Sequence, residues 1–106
     1  MQRPEVVNIY TMGAWREGDV YIGRRGKKAP AMPGGNGEFG NPFSINALHN
    51  REDVIRLFIE CLDAAPELVA RLAEFEPKRL VCFCAPKACH GDAYADRLEA
   101  LDGVNP

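Results

Sequence analysis

Three of the four cysteines and one of the two histidines of this chain fall within nine consecutive residues. The segment, here called the Cys/His segment, reads Cys82-Phe83-Cys84-Ala85-Pro86-Lys87-Ala88-Cys89-His90 and is followed by Gly91-Asp92. Thiols and imidazoles are the side chains that serve as nucleophiles, general bases or soft-metal ligands near neutral pH. We therefore expect the chemical site of the protein in this segment.

The order of residues in the Cys/His segment suggests catalytic roles. Cys89 and His90 precede a predicted helix, and the positive end of a helix dipole lowers the pKa of a nearby thiol. If the site is catalytic, we expect His90 to be the acid or base and Cys84 or Cys89 to be the nucleophile. Hydrolysis or transfer at a glycosidic or phosphate ester bond would suit these groups. His90 is expected to contribute little to the core.

Zinc binding is the alternative interpretation of the same residues. Cys82, Cys84, Cys89 and His90 provide four ligands of suitable type. Their spacing, C-x-C-x4-C-H, differs from the usual C-x2–4-C knuckle, and packing in a buried strand alone would explain Cys82. The main interpretation therefore includes no cofactor. The alternative is a zinc-binding interaction module that engages a protein partner.

Anion recognition is the expected role of several polar residues. Gly91 would let a ligand approach the backbone at the helix N-terminus, whose free N–H groups attract anions. Asp92 would either cap that helix, orient His90 or contact a ribose hydroxyl. Asn41 precedes a proline and would either form a turn or read a base or sugar edge. Arg24 closely follows a predicted strand and would pair with phosphate.

The elements that must position these residues follow from the hydrophobic pattern. The predicted strands cover residues 5–10, 19–22 and 79–84. The predicted helices cover about 51–63, 66–76 and 92–101, with Asn50 as an N-cap, Pro66 in a first turn and Gly103 as a stop. A helical crossover between the last two strands makes them parallel. The predicted fold class is α/β, a small sandwich with a short, mainly parallel sheet flanked by helices.

One long loop interrupts this pattern. The whole chain, 1–106, is predicted to be a single domain, and its loop at about 23–42 is rich in glycine and proline. Gly34-Gly35-Asn36-Gly37 is expected to be a flexible tip, and Arg25, Lys27 and Lys28 are expected to be a solvated charge run. Cys61, on the first helix, is expected in the core.

Motifs from several parts of the chain resemble one known family. They are Tyr21-Ile22-Gly23-Arg24, Gly40-Asn41-Pro42-Phe43, Arg51 opening a helix, Cys82-Phe83-Cys84-Ala85-Pro86 and Cys89-His90-Gly91-Asp92. Together they resemble domain of unknown function 4326, a family of small phage and bacterial proteins, over about residues 20–98. The loop before Gly40 is longer than in the family, and Phe39 and Phe83 stand where tryptophan is frequent. The resemblance implies a fold and a site, but no established activity.

Composition limits the function classes. With 46% hydrophobic residues, 26% charged residues and a net charge of −2, the chain is typical of globular proteins. It has no overall attraction for nucleic acid or anionic membranes. No apolar run approaches the roughly 18 residues that span a bilayer, and the first residues do not resemble a signal peptide. We expect a cytoplasmic location and four free thiols.

These expectations combine into one functional prediction. The loops that carry Arg24 and His90 both follow strands predicted to be parallel, and ligands bind beyond the carboxyl ends of such strands. Arg24, Asn41 and His90 should therefore converge in one pocket, completed by the helix N-terminus at Gly91-Asp92. The predicted ligand is a small anion, either a nucleotide or a nucleotide-derived sugar phosphate.

Overall fold

Three short parallel strands form the sheet that positions the site. The computed structural model describes residues 2–26, 31–43, 45–46 and 48–104. In it, β1 (Glu5–Asn8) and β2 (Asp19–Tyr21) flank the central strand β3 (Arg79–Cys82), and both pairings are parallel. This confirms the predicted α/β class. The strand predicted at 79–84 ends earlier, because its neighbours stop pairing with it at Cys82 and the next residues enter a loop.

Three helices complete the fold of the described residues. Helix α1 (Arg51–Ala64) starts at the predicted N-cap, where Asn50 and Asp53 form a capping box. The Asn50 side chain accepts from the backbone N–H of Asp53, and the Asp53 side chain accepts from the backbone N–H of Asn50. Helix α2 (Pro66–Ala73) has its proline in the first turn, as predicted. Helix α3 (His90–Val104) begins two residues before the predicted start and continues through Gly103, which was wrongly predicted to stop it.

The two faces of the sheet are covered differently. Leu80 and Cys82 of β3 pack in one fully buried cluster with the helical side chains Phe58, Leu72 and Tyr94. Val81, which points to the opposite face, packs in a second cluster of the described residues, with Tyr21, Val7, Ile9, Met12, Trp15 and Met32. The helices therefore contact one face of the sheet, whereas side chains from β1, β2 and loops cover the other.

Two local predictions are wrong. Cys61 is exposed, because the buried stripe of α1 is formed by Val54, Phe58 and Leu62. The glycine-rich stretch is no free tip, since Gly34 is buried and the N–H of Tyr21 donates to the carbonyl of Pro33. Gly34 has φ +80°, and a Cβ there would lie 2.1 Å from the Tyr21 carbonyl oxygen, so glycine is required.

Two further observations concern the predicted charge run and the length of the helices. The predicted solvated residues Lys27 and Lys28 lie outside the described part of the chain. Within the described part, no helix has both the length and the apolar character needed to cross a membrane.

Candidate functional site

A cavity of about 500 Å³ lies beyond the carboxyl ends of β2 and β3. Its volume is within the range of about 300–1,000 Å³ typical of small-molecule sites. Arg24, Asn41 and His90 all line it, which confirms the predicted convergence of the two loops. Cys84 and Cys89 line the same cavity, so five of the seven residues predicted for the site come together there.

The charged side chains among the described lining residues of the cavity are all positive. The described lining includes three arginines, Arg24, Arg25 and Arg51, and no aspartate or glutamate. Arg24 and Arg25 come from the loop after β2, and Arg51 comes from the first turn of α1. The protein carries a net charge of −2, so this cluster is a local concentration of positive charge on an acidic chain. Such a cluster attracts anions.

Arg24 is held in place by the loop that follows it. Its Nε donates to the carbonyl oxygen of Asn41 at 2.8 Å, and its Nη2 donates to that of Phe43 at 2.7 Å. A guanidinium has five N–H donors, so others are left for a ligand. The fixed group is therefore oriented before any ligand arrives.

Asn41 has a structural role in the same loop. Its buried side-chain Nδ2 donates to the carbonyl of Val54 at 3.1 Å, and its Oδ1 accepts from the N–H of Phe43 at 2.9 Å. These bonds form the turn and attach the loop to α1. A ligand-orienting role for Asn41 stays a prediction.

His90 is a buried residue rather than a free one. Its Nε2 lies 2.6 Å from the carbonyl oxygen of Ile22, which only accepts, so Nε2 carries the proton. The ring also packs edge-on against Phe58 and Tyr94, with centroid separations of 5.1 and 5.9 Å. Burial lowers the pKa of His90, although the bond to Ile22 opposes the shift. The expectation that His90 contributes little to the core is wrong, since the ring joins the end of β2 to α3.

The N-terminus of α3 is capped by Cys89 and not by Asp92. The N–H of Gly91 donates to Cys89 Sγ at 3.3 Å, and the N–H of Cys89 donates to Asp92 Oδ2 at 3.1 Å. This pattern resembles a capping box with a thiol in place of the usual hydroxyl, although the thiol accepts from the second helical residue rather than the third. The helix begins early because the thiol supplies the cap.

Gly91 and Asp92 do not line the cavity. Gly91 is buried, and a Cβ there would lie 2.8 Å from Ile22 Cδ1 and 2.9 Å from Val6 Cγ1. Glycine is thus needed for the close approach of α3 to the sheet rather than for a ligand. Since the cap also uses the N–H of Gly91 internally, this placement argues against the predicted anion cradle at the helix N-terminus.

The thiols of the Cys/His segment form a close pair beside the cavity. Cys82 Sγ and Cys89 Sγ are 3.6 Å apart and buried, and all four cysteines are free. Within the described residues, no three His, Cys, Asp or Glu side chains lie close enough together to hold a metal ion. The four-ligand set of the zinc alternative is thus not assembled, and zinc binding stays a prediction.

The remaining wall of the cavity is aromatic and aliphatic, and sequence reasoning missed most of it. Phe83 is 40% exposed and stands edge-on to Tyr21 at a centroid separation of 6.0 Å. Further apolar side chains of the wall include Phe43, Ile45, Val54 and Ile55. Arg25 and Arg51 were also missed as site residues. The signal that could have found Arg51 is its place in the first turn of the helix that follows the Gly40–Phe43 motif.

One protein-family model matches nearly the whole chain. The family model described as domain of unknown function (DUF4326) matches residues 7–100. The chain belongs to the DUF4326 family. No curated protein and no solved structure matches the chain. The described lining residues of the cavity in this DUF4326 protein all fall within the matched range, so the family's domain builds the described part of the cavity.

Proposed function

We propose that the cavity binds a small anionic ligand, either a nucleotide or a nucleotide-derived sugar phosphate. One observation carries the proposal. Among the described residues, three arginines and no carboxylate line a cavity of about 500 Å³ whose other wall is aromatic and aliphatic. Ligand sites in proteins combine such an apolar wall with a few convergent polar groups.

The arginines suit the phosphate end of such a ligand. A guanidinium presents planar paired donors that match phosphate oxygens, and these charge-assisted bonds are stronger than neutral ones. Arg24 is already oriented by the carbonyls of Asn41 and Phe43. Arg51 donates to the carbonyl of Ala88 at 3.2 Å, which places its guanidinium between α1 and the Cys/His segment.

The aromatic wall suits the base end. Phe83 and Phe43 both line the cavity. Phe83 is exposed, and Phe43 is half-buried. Stacking of a nucleobase on an aromatic side chain contributes about 1–3 kcal/mol per base. Apolar and charged walls within one cavity would hold a molecule that has both a base and a phosphate.

A covalent step at this site would need a cysteine as nucleophile and His90 as acid or base. Cys84 is half-buried and lines the cavity, whereas the sulfur of Cys89 already contacts Cys82 and the N–H of Gly91. Cys84 is therefore the better candidate nucleophile for transfer or hydrolysis at a glycosidic or phosphate ester bond. His90 would donate its Nε2 proton to a ligand only after releasing the Ile22 carbonyl. The proposed setting is the cytoplasm, where thiols stay reduced.

Arg51→Ala tests the proposal against a matched control on the same helix, Arg56→Ala. Hydrogen bonds to charged groups contribute about 1.5–3 kcal/mol. We therefore expect Arg51→Ala to weaken binding of a nucleoside monophosphate or diphosphate by about 10-fold or more. Arg56 is exposed, pairs with Asp53 and Glu60, and does not line the cavity, so its removal should leave the dissociation constant unchanged.

Thermal denaturation with a panel of nucleotides provides the readout. A ligand at about 100 times its dissociation constant stabilises the folded state by roughly 2.7 kcal/mol, which raises Tm visibly. Circular dichroism confirms that both arginine variants are folded. The proposal fails if no nucleotide raises the Tm of the unmodified chain, or if the two variants respond equally.

A further inference from the structure

Two thiols outside the proposed phosphate contacts form a pair at the boundary between β3 and α3. Cys82 is the last residue of β3, and Cys89 caps α3. Their sulfur atoms are 3.6 Å apart, and both residues border the cavity although each is at most 3% exposed. Secondary structure fixes the backbone on both sides of the pair. The pair is thus held together by the fold.

The environment of the pair favours one shared proton. A hydrogen bond with Cys89 lowers the pKa of Cys82 to about 6, assisted by the backbone N–H groups of Ala85 and Cys84 and opposed by burial. The same neighbour raises the pKa of the Cys89 thiol. The Cys82 thiol therefore ionises more readily than that of Cys89, whose Sγ donates to Cys82 Sγ at 3.6 Å. Thiolates are the nucleophilic form of cysteine.

We propose that Cys82 and Cys89 are a two-electron redox site that a small hydroperoxide entering the cavity converts reversibly to a disulfide. The proposal rests on the placement of the two sulfur atoms and does not require that the cavity bind a nucleotide. It leaves the reduced chain with four free thiols, as the structure has them.

The reaction proceeds in two steps. The Cys82 thiolate attacks the terminal oxygen of the hydroperoxide, the O–O bond breaks, and the departing alkoxide takes the proton of Cys89 and leaves as an alcohol. Cys82 is then a sulfenic acid. The Cys89 thiolate attacks its sulfur, the S–S bond forms, and the leaving hydroxide takes from solvent the proton that Cys82 released on ionisation, which gives water. The two thiols lose two electrons in total, and the hydroperoxide gains them.

The disulfide would also change the cap of α3. Its S–S length is about 2.05 Å, so the sulfur atoms must approach each other from 3.6 Å. This approach changes the acceptor of the Gly91 N–H, now 3.3 Å from Cys89 Sγ. The amide resonance of Gly91 is therefore a local probe of oxidation, and its shift should reverse on reduction.

The experiment uses the full chain with Cys61→Ser and Cys84→Ser, which leaves the proposed pair alone. Cys61 is exposed and could otherwise link two molecules. We expect hydrogen peroxide to remove both thiols, lower the mass by two hydrogen atoms and shift the Gly91 amide. Trypsin cleaves after Lys87, so the bridge should join one peptide carrying Cys82 to another carrying Cys89. Dithiothreitol should restore both thiols.

Replacing one partner separates the two steps. With Cys89→Ser added, the serine hydroxyl can still cap α3, and Cys82 should stop at a sulfenic acid that a cyclic 1,3-diketone traps. The unmodified chain, treated in parallel, should lose two of its four thiols and give the same cross-linked peptides. The proposal is overturned if the pair stays reduced in the folded chain while peroxide consumes added glutathione. It is also overturned if Cys84 supplies the bridge in the unmodified chain.

Discussion

Asp19→Asn should lower the free energy of unfolding by about 3–5 kcal/mol, the size expected when one partner of a buried ion pair is removed. The guanidinium of Arg79 bonds both carboxylate oxygens of Asp19 at 2.6 Å. Both side chains are at least nine-tenths buried, and they join the first residues of β2 and β3. Without the carboxylate, the charge of Arg79 is buried and uncompensated. Urea denaturation of both proteins measures the difference.

Asp96→Asn is the matched control for this prediction. Asp96 also pairs with an arginine, Arg3, but both groups are exposed, and exposed pairs contribute about 0–1 kcal/mol. The pH dependence of the free energy of unfolding provides a second check. Burial alone would raise the pKa of Asp19, but the bonds from Arg79 and from the N–H of Arg16 hold this pKa below its ordinary value. The stability from Asp19 is complete above the ordinary carboxyl pKa of 3.8 and is lost as the pH falls below it. Equal losses in the two variants would contradict the account.

His90→Ala should destabilise the protein about as much as truncation of a core leucine, by roughly 2–5 kcal/mol. His90 is only 9% exposed and its ring packs against Phe58 and Tyr94, so loss of the ring leaves a cavity. It also leaves the carbonyl of Ile22 without its hydrogen bond. Leu80→Ala in β3 gives the reference value, because Leu80 is fully buried in the same cluster.

His49→Ala is the control for a histidine outside this cluster. It lies in the loop before α1, and we expect its removal to change the free energy of unfolding by no more than about 0.5 kcal/mol. Denaturant unfolding followed by circular dichroism compares the three variants. If His90→Ala lowers the free energy of unfolding by less than about 1 kcal/mol, the structural role of His90 is contradicted, and His90 is better explained as a ligand-contacting residue.

The sequence predicted the order of elements well because local signals determine it. The Asn50 cap, the Pro66 first turn and the start of the central strand at Arg79 each depend on a few neighbouring residues, and all three appear where they were predicted. The convergence of Arg24 with His90 also followed from one rule about parallel strands. These predictions needed no knowledge of side-chain packing.

Two of the errors have another cause, which is contact between residues distant in sequence. Gly91 reads as a ligand-binding glycine until Ile22 and Val6 are known to lie against it. Gly34 reads as a flexible tip until Tyr21 is known to pack on it. Cys61 shows a different limit, since one step along α1 separates the buried stripe from the exposed face.

The arginines of the cavity show why some site residues were predicted from the sequence and others were not. Arg24 was found because it closely follows a strand. Arg25 looked like one member of a solvated charge run, and Arg51 lies far along the chain, 27 residues after Arg24. Only the packing of α1 against the Cys/His segment brings Arg51 to the cavity, through its bond to the Ala88 carbonyl.

Calorimetric titration with three probes tests most directly whether the cavity holds a base and a phosphate together. The probes are a nucleoside monophosphate, the same nucleoside without phosphate, and inorganic phosphate. Because the arginines and the aromatic wall line one cavity, the nucleotide should bind more tightly than either part alone, and Arg51→Ala should remove most of this advantage. The account is contradicted if the nucleotide gives no binding heat, or if inorganic phosphate binds as tightly as the nucleotide does.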